Sequence, residues 1–344
     1  QLSYEEVTKM NLGVDLSFFG NRFYSSFNYF ESTTDNMLIF TPLDSYLGYD
    51  FRMENGGKMV NTGWELSSFL RVIDGNSFEW DIRANISSVH NEVLEVKGDQ
   101  LFNNIQGAQL INKVGAPLNS FYGYLFKGVY STHEEAAEAG LVNARNMAYS
   151  GGDAIYEDLS GPAGEPDGVI NDYDKTILGS SIPELFGGLF TKFSFKRWGL
   201  SAFVYFSKGN EIFNYVRYQN ESMTGLENQS VDVLKRWQYN GQETDVPRAL
   251  MNDPMGNADF SSRWVEDGSY ARLKNVTLSY TIPNEFLTFR NAEFYISANN
   301  LLTLSRYLGY DPEFAYSYSH VHLGVDYGQM PQSRQFIAGI KVGF

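Results

Sequence analysis

The stretch QFIAGIKVGF (335–344) alternates without a break. Phe336, Ala338, Ile340, Val342 and Phe344 fall on one face of an extended chain, and Gln335, Ile337, Gly339, Lys341 and Gly343 fall on the other. Strand side chains have period two, so this segment reads as a strand with one apolar face and one mostly polar or small face. A stretch this regular is expected to be paired into a sheet. Two settings fit it: the edge of a soluble sandwich, or a wall strand of an outer-membrane barrel, whose lipid-facing and lumen-facing residues alternate in this way.

The same pattern recurs upstream. MNLGVDLSFFG (10–20) puts Met10, Leu12, Val14, Leu16 and Phe18 on one face, and the Gly20-Asn21 pair signals a hairpin into RFYSSFNYFESTT. MVNTGWELSSFLRV (59–72) and SFEWDIRANISSV (77–89) alternate across a turn at 74–76. Two strands meet near Lys196-Trp198, and SYARLKNVTLSYTIP and NAEFYISANNLLTL precede the terminal strand. Tight turns are expected near 20, 75, 197 and 286, and long connections over 41–58, 94–183, 209–268 and 305–332. Long connections are uncommon in compact soluble domains. Outer-membrane barrels, by contrast, pair short periplasmic turns with long extracellular loops. FYGYLFKGVYST (121–132) looks like a strand, but parity places it inside the second connection rather than in the wall.

The fold expected is therefore all-β, an antiparallel transmembrane β-barrel with long extracellular loops. The count comes to about nine strands, whereas single-chain bacterial barrels close with an even number. The chain is accordingly expected to be part of a larger barrel or one subunit of a split one. It opens on QLSYEEVTKM, without an initiator Met or a leader, so either a leader has been removed or this is not the natural beginning.

Composition narrows the chemistry. The 344 residues carry 26 Lys plus Arg against 41 Asp plus Glu, a net charge of -15, which argues against a nucleic-acid partner. There is no cysteine, hence no disulfide, thiol chemistry or cysteine zinc site. The 23 Tyr, 26 Phe and 32 Gly beside only 4 His suit a β-rich scaffold better than a hydrolase. No apolar run reaches the roughly 18 residues of a transmembrane helix, which says nothing against barrel strands. Neither G-x-S-x-G nor a GxxxxGK phosphate loop occurs.

Taken in order, EEVTKMNLGVDLSFFGNRFYSSFNYFESTTDNML, GGKMVNTGWELSSFL, NSFYGYLFKGVYST, GDAIYEDLSGPAGEPDGVINDYDKTILGSSIPE, DGSYARLKNVTLSYTIP, FYISANNLLTLSRYLGYDPE and MPQSRQFIAGIKVGF resemble the SusC/RagA-like TonB-dependent transporters of Bacteroidota. The resemblance covers nearly the whole chain. It implies that residues 1–344 are the C-terminal part of a barrel of about 22 strands, a size that goes with a plugged lumen. The plug, the TonB box and the N-terminal strands of that family are not in these residues. The resemblance further implies an outer-membrane location, import of oligosaccharides or peptides, a SusD-like lipoprotein lid, and TonB acting through the missing N-terminal region. The remaining strands and plug would lie on the same or another chain, with lipid and LPS around the wall.

Candidate site residues fall into three groups. DLSGPAGEPDGVINDYD resembles the family's EF-hand-like loop, which implies a calcium ion held by Asp158, Ser160, Asp167, Val169, Asn171 and Asp174, with Gly168 at the bend. Gly161 to Pro166 look inserted between the third and fifth ligand positions, and a solvated acidic turn is the competing reading. Tyr46, Tyr49, Tyr215, Tyr218, Trp237, Tyr316 and Tyr318 lie in the long connections, where aromatics either meet cargo or a partner, or pack the loops. Phe336, Ala338, Ile340, Val342 and Phe344 resemble the β-signal read by the barrel assembly machinery, a role compatible with facing lipid. His320 and His322 share a strand face but lack a nearby carboxylate, so a solvated loop is favoured over a metal site.

No catalytic set emerges, and a non-enzyme is expected. Besides an importer, the pattern admits a SusC-like structural subunit of an outer-membrane assembly or secretion complex, a soluble carbohydrate-binding β-protein, and a barrel enzyme. The last would need convergent acid and base residues that the sequence does not offer.

Overall fold

The structure is a computed structural model describing residues 2–43, 46, 48–49, 51–283, 291–314 and 322–343. Nine long strands form one antiparallel sheet: β1 (Glu6–Phe18), β2 (Phe23–Pro42), β3 (Phe51–Asp74), β4 (Phe78–Val96), β5 (Leu185–Phe195), β6 (Trp198–Lys208), β7 (Tyr270–Ile282), β8 (Asn291–Ser305) and β9 (Gln335–Gly343). They pair strictly in chain order. Among the described residues the sheet is open, with β1 and β9 at its two edges. No described helix is long and apolar enough to cross a membrane, so strands would have to do so.

The register explains the alternation. One row of directly paired residues runs through all nine strands: Phe18, Phe23, Leu70, Ile82, Thr191, Ala202, Val276, Ala298, Phe336. Eight of these nine are apolar, which is what a lipid-facing band requires. The next row faces the other way and reads Ser17, Tyr24, Phe69, Arg83, Phe190, Phe203, Asn275, Asn299, Gln335. Polar groups and aromatics mix there, and the Arg83 guanidinium lies 5.5 Å from the Phe69 ring and 5.9 Å from the Phe190 ring. Towards the tight turns, Phe78, Phe195, Trp198, Tyr280 and Phe294 form an aromatic row that ends on Ile340. Such a row suits a membrane–water boundary, where a ring has one apolar and one wet side.

The tight turns occur where expected near 20, 75 and 197; the one near 286 lies outside the described residues. At the first, Phe19, Gly20 and Asn21 all take positive φ (55°, 63° and 67°) and reverse the chain in four residues. The connection expected over 41–58 is corrected. β3 begins at Phe51 and its early residues pair with Pro42, Thr41, Phe40, Ile39 and Leu38, so the connection shrinks to 43–50. The ladder slips between Thr34 and Met37, where Asn36 has φ 54°, and this bulge breaks the alternation. β2 and β3 run to 20 and 24 residues. A membrane crossing needs only about 9–11, so their upper halves extend beyond the bilayer, where no lipid imposes the alternation.

The three long connections (97–184, 209–269 and 306–334) fold into a body of their own beside the sheet's long-loop end. Gln100–Ile105, Ala108–Lys113, Ser120–Gly123 and Thr176–Gly179 make a four-stranded sheet, and Glu211–Asn214, Val265–Asp267 and Val325–Asp326 a three-stranded one. Segment 121–132 thus contributes strands to the loops and not to the wall, as parity requires. A single core unites the connections: Leu110 and Phe121 from the first, Phe213, Phe260 and Trp264 from the second, Val325 from the third. Phe121, Phe213, Trp264 and Val325 are completely buried. Burying side chains of this size stabilises by roughly 1.5–3 kcal/mol each, which sets this body apart from a collection of mobile loops.

Candidate functional site: the three-connection body

Charged residues that the core cannot absorb are paired within this body. Asp153 is fully buried; its carboxylate accepts from Arg248 Nε at 2.7 Å and Nη2 at 2.9 Å, and from Asn257 Nδ2 at 3.0 Å. Arg217 donates to Glu221 at 3.0 Å and Glu266 at 3.1 Å, and its Nη1 also reaches the Arg263 carbonyl. Arg272, on β7, is 2% exposed and pairs with Asp311 and with Glu313, which also takes Lys274. Asp311 in turn accepts from Gln332 N, so one carboxylate ties the third connection to the wall and to the approach of β9. The Tyr307 hydroxyl donates to Asp326 at 2.6 Å; burial, together with that carboxylate, raises its pKa well above the ordinary tyrosine value.

One cation is different. Arg263 is 8% exposed, and its Nε and Nη2 have no hydrogen-bond acceptor among the described residues. The guanidinium instead lies over the Trp264 ring at 4.5 Å and the Phe126 ring at 5.7 Å. Burial, with Arg217 nearby, pushes its pKa down to about 10. Two of the concave sites on the body bear on its chemistry. The larger, about 480 Å³, is lined by Arg217, Glu221, Asp232, Lys235, Asp245 and Tyr310 among others. The smaller, about 180 Å³, is lined by Tyr124, Arg145, Tyr149, Asp253 and Asp259 among others.

The residues expected to hold calcium sit together but spend their oxygens on the backbone. Asp158 accepts from the N–H groups of Asp167 and Gly168, and Asp167 from that of Val169. The fully buried Asp174 accepts from those of Leu159, Ser160 and Asn171. Asn171 accepts from Tyr173 N and donates to the Val169 carbonyl; the Ser160 hydroxyl donates to the Gly161 carbonyl at 3.4 Å. This is the bonding of a capped acidic turn; a calcium ion would need six to eight oxygens turned to one centre. Among the described residues no group of three or more His, Asp or Glu is placed to hold a metal ion. His322 lies in the third connection, and His320 is outside the described residues.

The aromatics expected to meet a ligand are dispersed. Tyr46 and Tyr49 are exposed at the top of the β2–β3 hairpin. Tyr215 and Tyr218 pack against the shared core, and Tyr215 also donates to Gln106 at 3.2 Å. Trp237 is 8% exposed and donates to the Ser131 carbonyl at 2.9 Å, so it is a packing residue and not a stacking platform. Tyr316 and Tyr318 lie outside the described residues, as does Phe344. The other four members of the terminal motif, Phe336, Ala338, Ile340 and Val342, share one face of β9, opposite Ala298, Ile296, Phe294 and Ala292 of β8. Sequence reasoning did not find Tyr124, Tyr149 and Asp259, because no local pattern links residues so far apart in the chain.

An antiparallel wall with a lipid-type row, a polar-aromatic row and heavy packed loops at one end defines an outer-membrane-type barrel protein. The profile of the family described as TonB dependent receptor-like, beta-barrel matches residues 1–301, and the chain belongs to that family. It is 32% identical over its whole length to TonB-dependent receptor P3 of Formosa agariphila, of which it covers 34%. It is 25% identical to TonB-dependent receptor SusC of Bacteroides thetaiotaomicron, again over its whole length and 32% of the relative. A solved structure described as the RagAB peptide transporter superposes on all of the chain with a TM-score of 0.80 and 26% identity, over 36% of that protein. The chain thus spans about a third of the length of its relatives. Its homologues are named as receptors and transporters, not as enzymes.

Proposed function

We propose that residues 1–344 form the C-terminal wall and the extracellular body of an outer-membrane importer that takes up oligosaccharides or peptides. The observation that carries this reading is the single core shared by three long connections at one end of a lipid-type sheet. Import needs a chamber that keeps its shape while cargo enters and leaves, and a packed body supplies one. The similarity to RagAB supports peptides and that to SusC supports the same class of machine.

In this reading a SusD-like lipoprotein closes the chamber, and TonB acts through parts of the protein outside residues 1–344. Those parts also supply the plug and the missing strands. The apolar row faces lipid and LPS acyl chains, and the barrel assembly machinery reads the β9 motif. No covalent chemistry is involved, and the net charge of -15 gives nucleic acid no footprint.

The test is detergent extraction of the full-length protein from outer membranes, followed by identification of what co-purifies and by uptake measurements. A lipoprotein partner and energy-dependent accumulation of a peptide or oligosaccharide are expected. The other reading, a structural subunit of an assembly or secretion complex, predicts co-purifying machinery components and no uptake. Recovery without detergent would overturn both.

A further inference from the structure

The smaller cavity carries an observation that packing alone does not explain. Tyr124 and Tyr149 are 8% and 6% exposed, yet neither hydroxyl makes a hydrogen bond with a described residue. Both side chains line the cavity, and neither hydroxyl is among the sealed polar atoms. Beside them stands the Asp259 carboxylate, which also has no hydrogen bond or ion pair with a described residue. Asp259 is itself solvent-exposed while lining the cavity. A buried hydroxyl costs free energy unless something bonds it. Two such hydroxyls and an exposed carboxylate facing one hollow of about 180 Å³ make a set of acceptors open to a ligand.

The lining of the hollow carries two carboxylates, Asp253 and Asp259, and one cation, Arg145. Asp253 is already satisfied by the N–H groups of Asn257 and Ala258 at 2.8 Å each. Its charge therefore adds to that of Asp259 without competing for a ligand. Of the two nearby cations, Lys175 is held by Asp172 at 2.7 Å, with its ammonium 5.4 Å from the Tyr124 ring. Arg145 lines the cavity and its side chain pairs with no described carboxylate. Two aromatic rings, two hydroxyl acceptors and a free carboxylate suit a compact cation on a slender apolar stem.

We propose that this cavity binds the ammonium or guanidinium end of a basic side chain carried by a peptide cargo. The Asp259 carboxylate pairs with the cation, and the Tyr124 and Tyr149 hydroxyls accept its remaining N–H groups. The peptide part of this statement rests on the importer reading above; the cation part does not. The volume admits a butyl-length chain and excludes a folded partner, so the site selects a side chain and not a protein surface.

The experiment uses the full-length protein in detergent with n-butylammonium and n-butylguanidinium as probes, and n-butanol as the uncharged control of equal length. Saturable binding of the two cations, and none of butanol, is expected from calorimetry. Asp259→Asn is expected to weaken cation binding by roughly tenfold or more, the usual worth of a charged hydrogen bond. Tyr149→Phe should weaken it less, and Arg145→Gln, which removes the competing cation, should tighten it. Retention of the heat-modifiable folded band checks each variant. Absence of saturable cation binding, or equal binding in folded Asp259→Asn and wild type, overturns the proposal. Should the Asn variant not fold, Tyr124→Phe and Tyr149→Phe decide in the same way. Uptake of Ala-Lys-Ala against Ala-norleucine-Ala then separates the two layers: cation binding without any peptide uptake overturns the importer reading alone.

Discussion

The Phe213 N–H donates to the Gly324 carbonyl at 2.7 Å, joining the second long connection to the third. Gly324 has φ +73°, and a Cβ built on it stands 2.5 Å from Ser181 Cβ and 3.0 Å from the Glu211 carbonyl. Segments of all three connections therefore pass within van der Waals range of one glycine. A side chain there meets left-handed strain and a clash together. Gly324→Val is expected to destabilise the loop body by about 2 kcal/mol or more. Amide exchange should rise in 120–123, 211–214 and 325–326 while the wall strands stay protected; unchanged exchange in those segments would show that the body does not hinge on this contact.

Asp153 and Arg248 hold the first and second connections together with two hydrogen bonds, the carboxylate fully buried and the Arg248 side chain 28% exposed. Removing one partner leaves the other charge uncompensated. Arg248→Ala is expected to cost about 3–5 kcal/mol, and the double change Asp153→Leu with Arg248→Met considerably less. Limited proteolysis of the extracellular side reads this directly. A single variant as resistant as wild type would refute the assignment.

The wall was legible in the sequence because lipid forces one face of every crossing strand to be apolar, and the row from Phe18 to Phe336 records that force. The nine strands, their order and the loop origin of 121–132 all followed from it. Legibility stopped where the bilayer stops. The upper parts of β2 and β3 lie beyond the bilayer, so Phe51–Lys58 read as connection although they are ladder. The Phe40 and Phe51 rings pack edge-to-face at 5.1 Å there, but two isolated aromatics leave no periodic trace. In the loop body the loss is greater. In the sequence Trp237 fits a ligand or partner contact and loop packing alike, and the structure makes it a core residue, whereas Tyr124 and Asp259 line one cavity across 135 positions of chain, a separation that carries no local signal.

Phe336 stands at one end of the lipid-type row, and Gln335, its neighbour, at the end of the polar row. The two faces predict different tolerance to charge. Phe336→Arg is expected to cost about 2–4 kcal/mol near the bilayer midplane and to lower the folded, heat-modifiable fraction in outer membranes. Gln335→Arg points the other way and should leave that fraction close to wild type. Equal effects at the two positions would mean that the faces have been assigned wrongly.

The acidic turn 158–174 supplies its own partners: Asp174 takes three backbone N–H groups and Asp158 takes two. A turn closed in this way gains little from an ion. Millimolar calcium, or its removal by a chelator, is expected to move Tm by less than about 1 °C, while Asp174→Ala, which orphans three donors, should lower it by several degrees. A calcium-dependent rise comparable to the Asp174 effect would show that this loop binds the ion.

Asp259 gives stability a pH dependence opposite to that of the paired carboxylates. Partial desolvation, reinforced by Asp253 and Asp172 and opposed by Lys175 and Arg145, raises its pKa from the ordinary 3.8 to about 6, although the residue is solvent-exposed. The folded state thus holds this proton more tightly than the unfolded chain does. Folding is favoured by protonation, so the contribution of Asp259 is largest below about pH 4, declines as pH rises towards about 6, and is level above that. Asp259→Asn removes the titration, and the variant is expected to be more stable than wild type at pH 7.5. The advantage should shrink on going to pH 4.5. Denaturation midpoints of the full-length protein at the two pH values measure the difference directly. A cation in the cavity should produce the same stabilisation in wild type at pH 7.5 and none in the Asn variant, since both remedies answer the same unpaired charge. An Asn variant less stable than wild type at pH 7.5, without added cation, would mean that the carboxylate already has a partner.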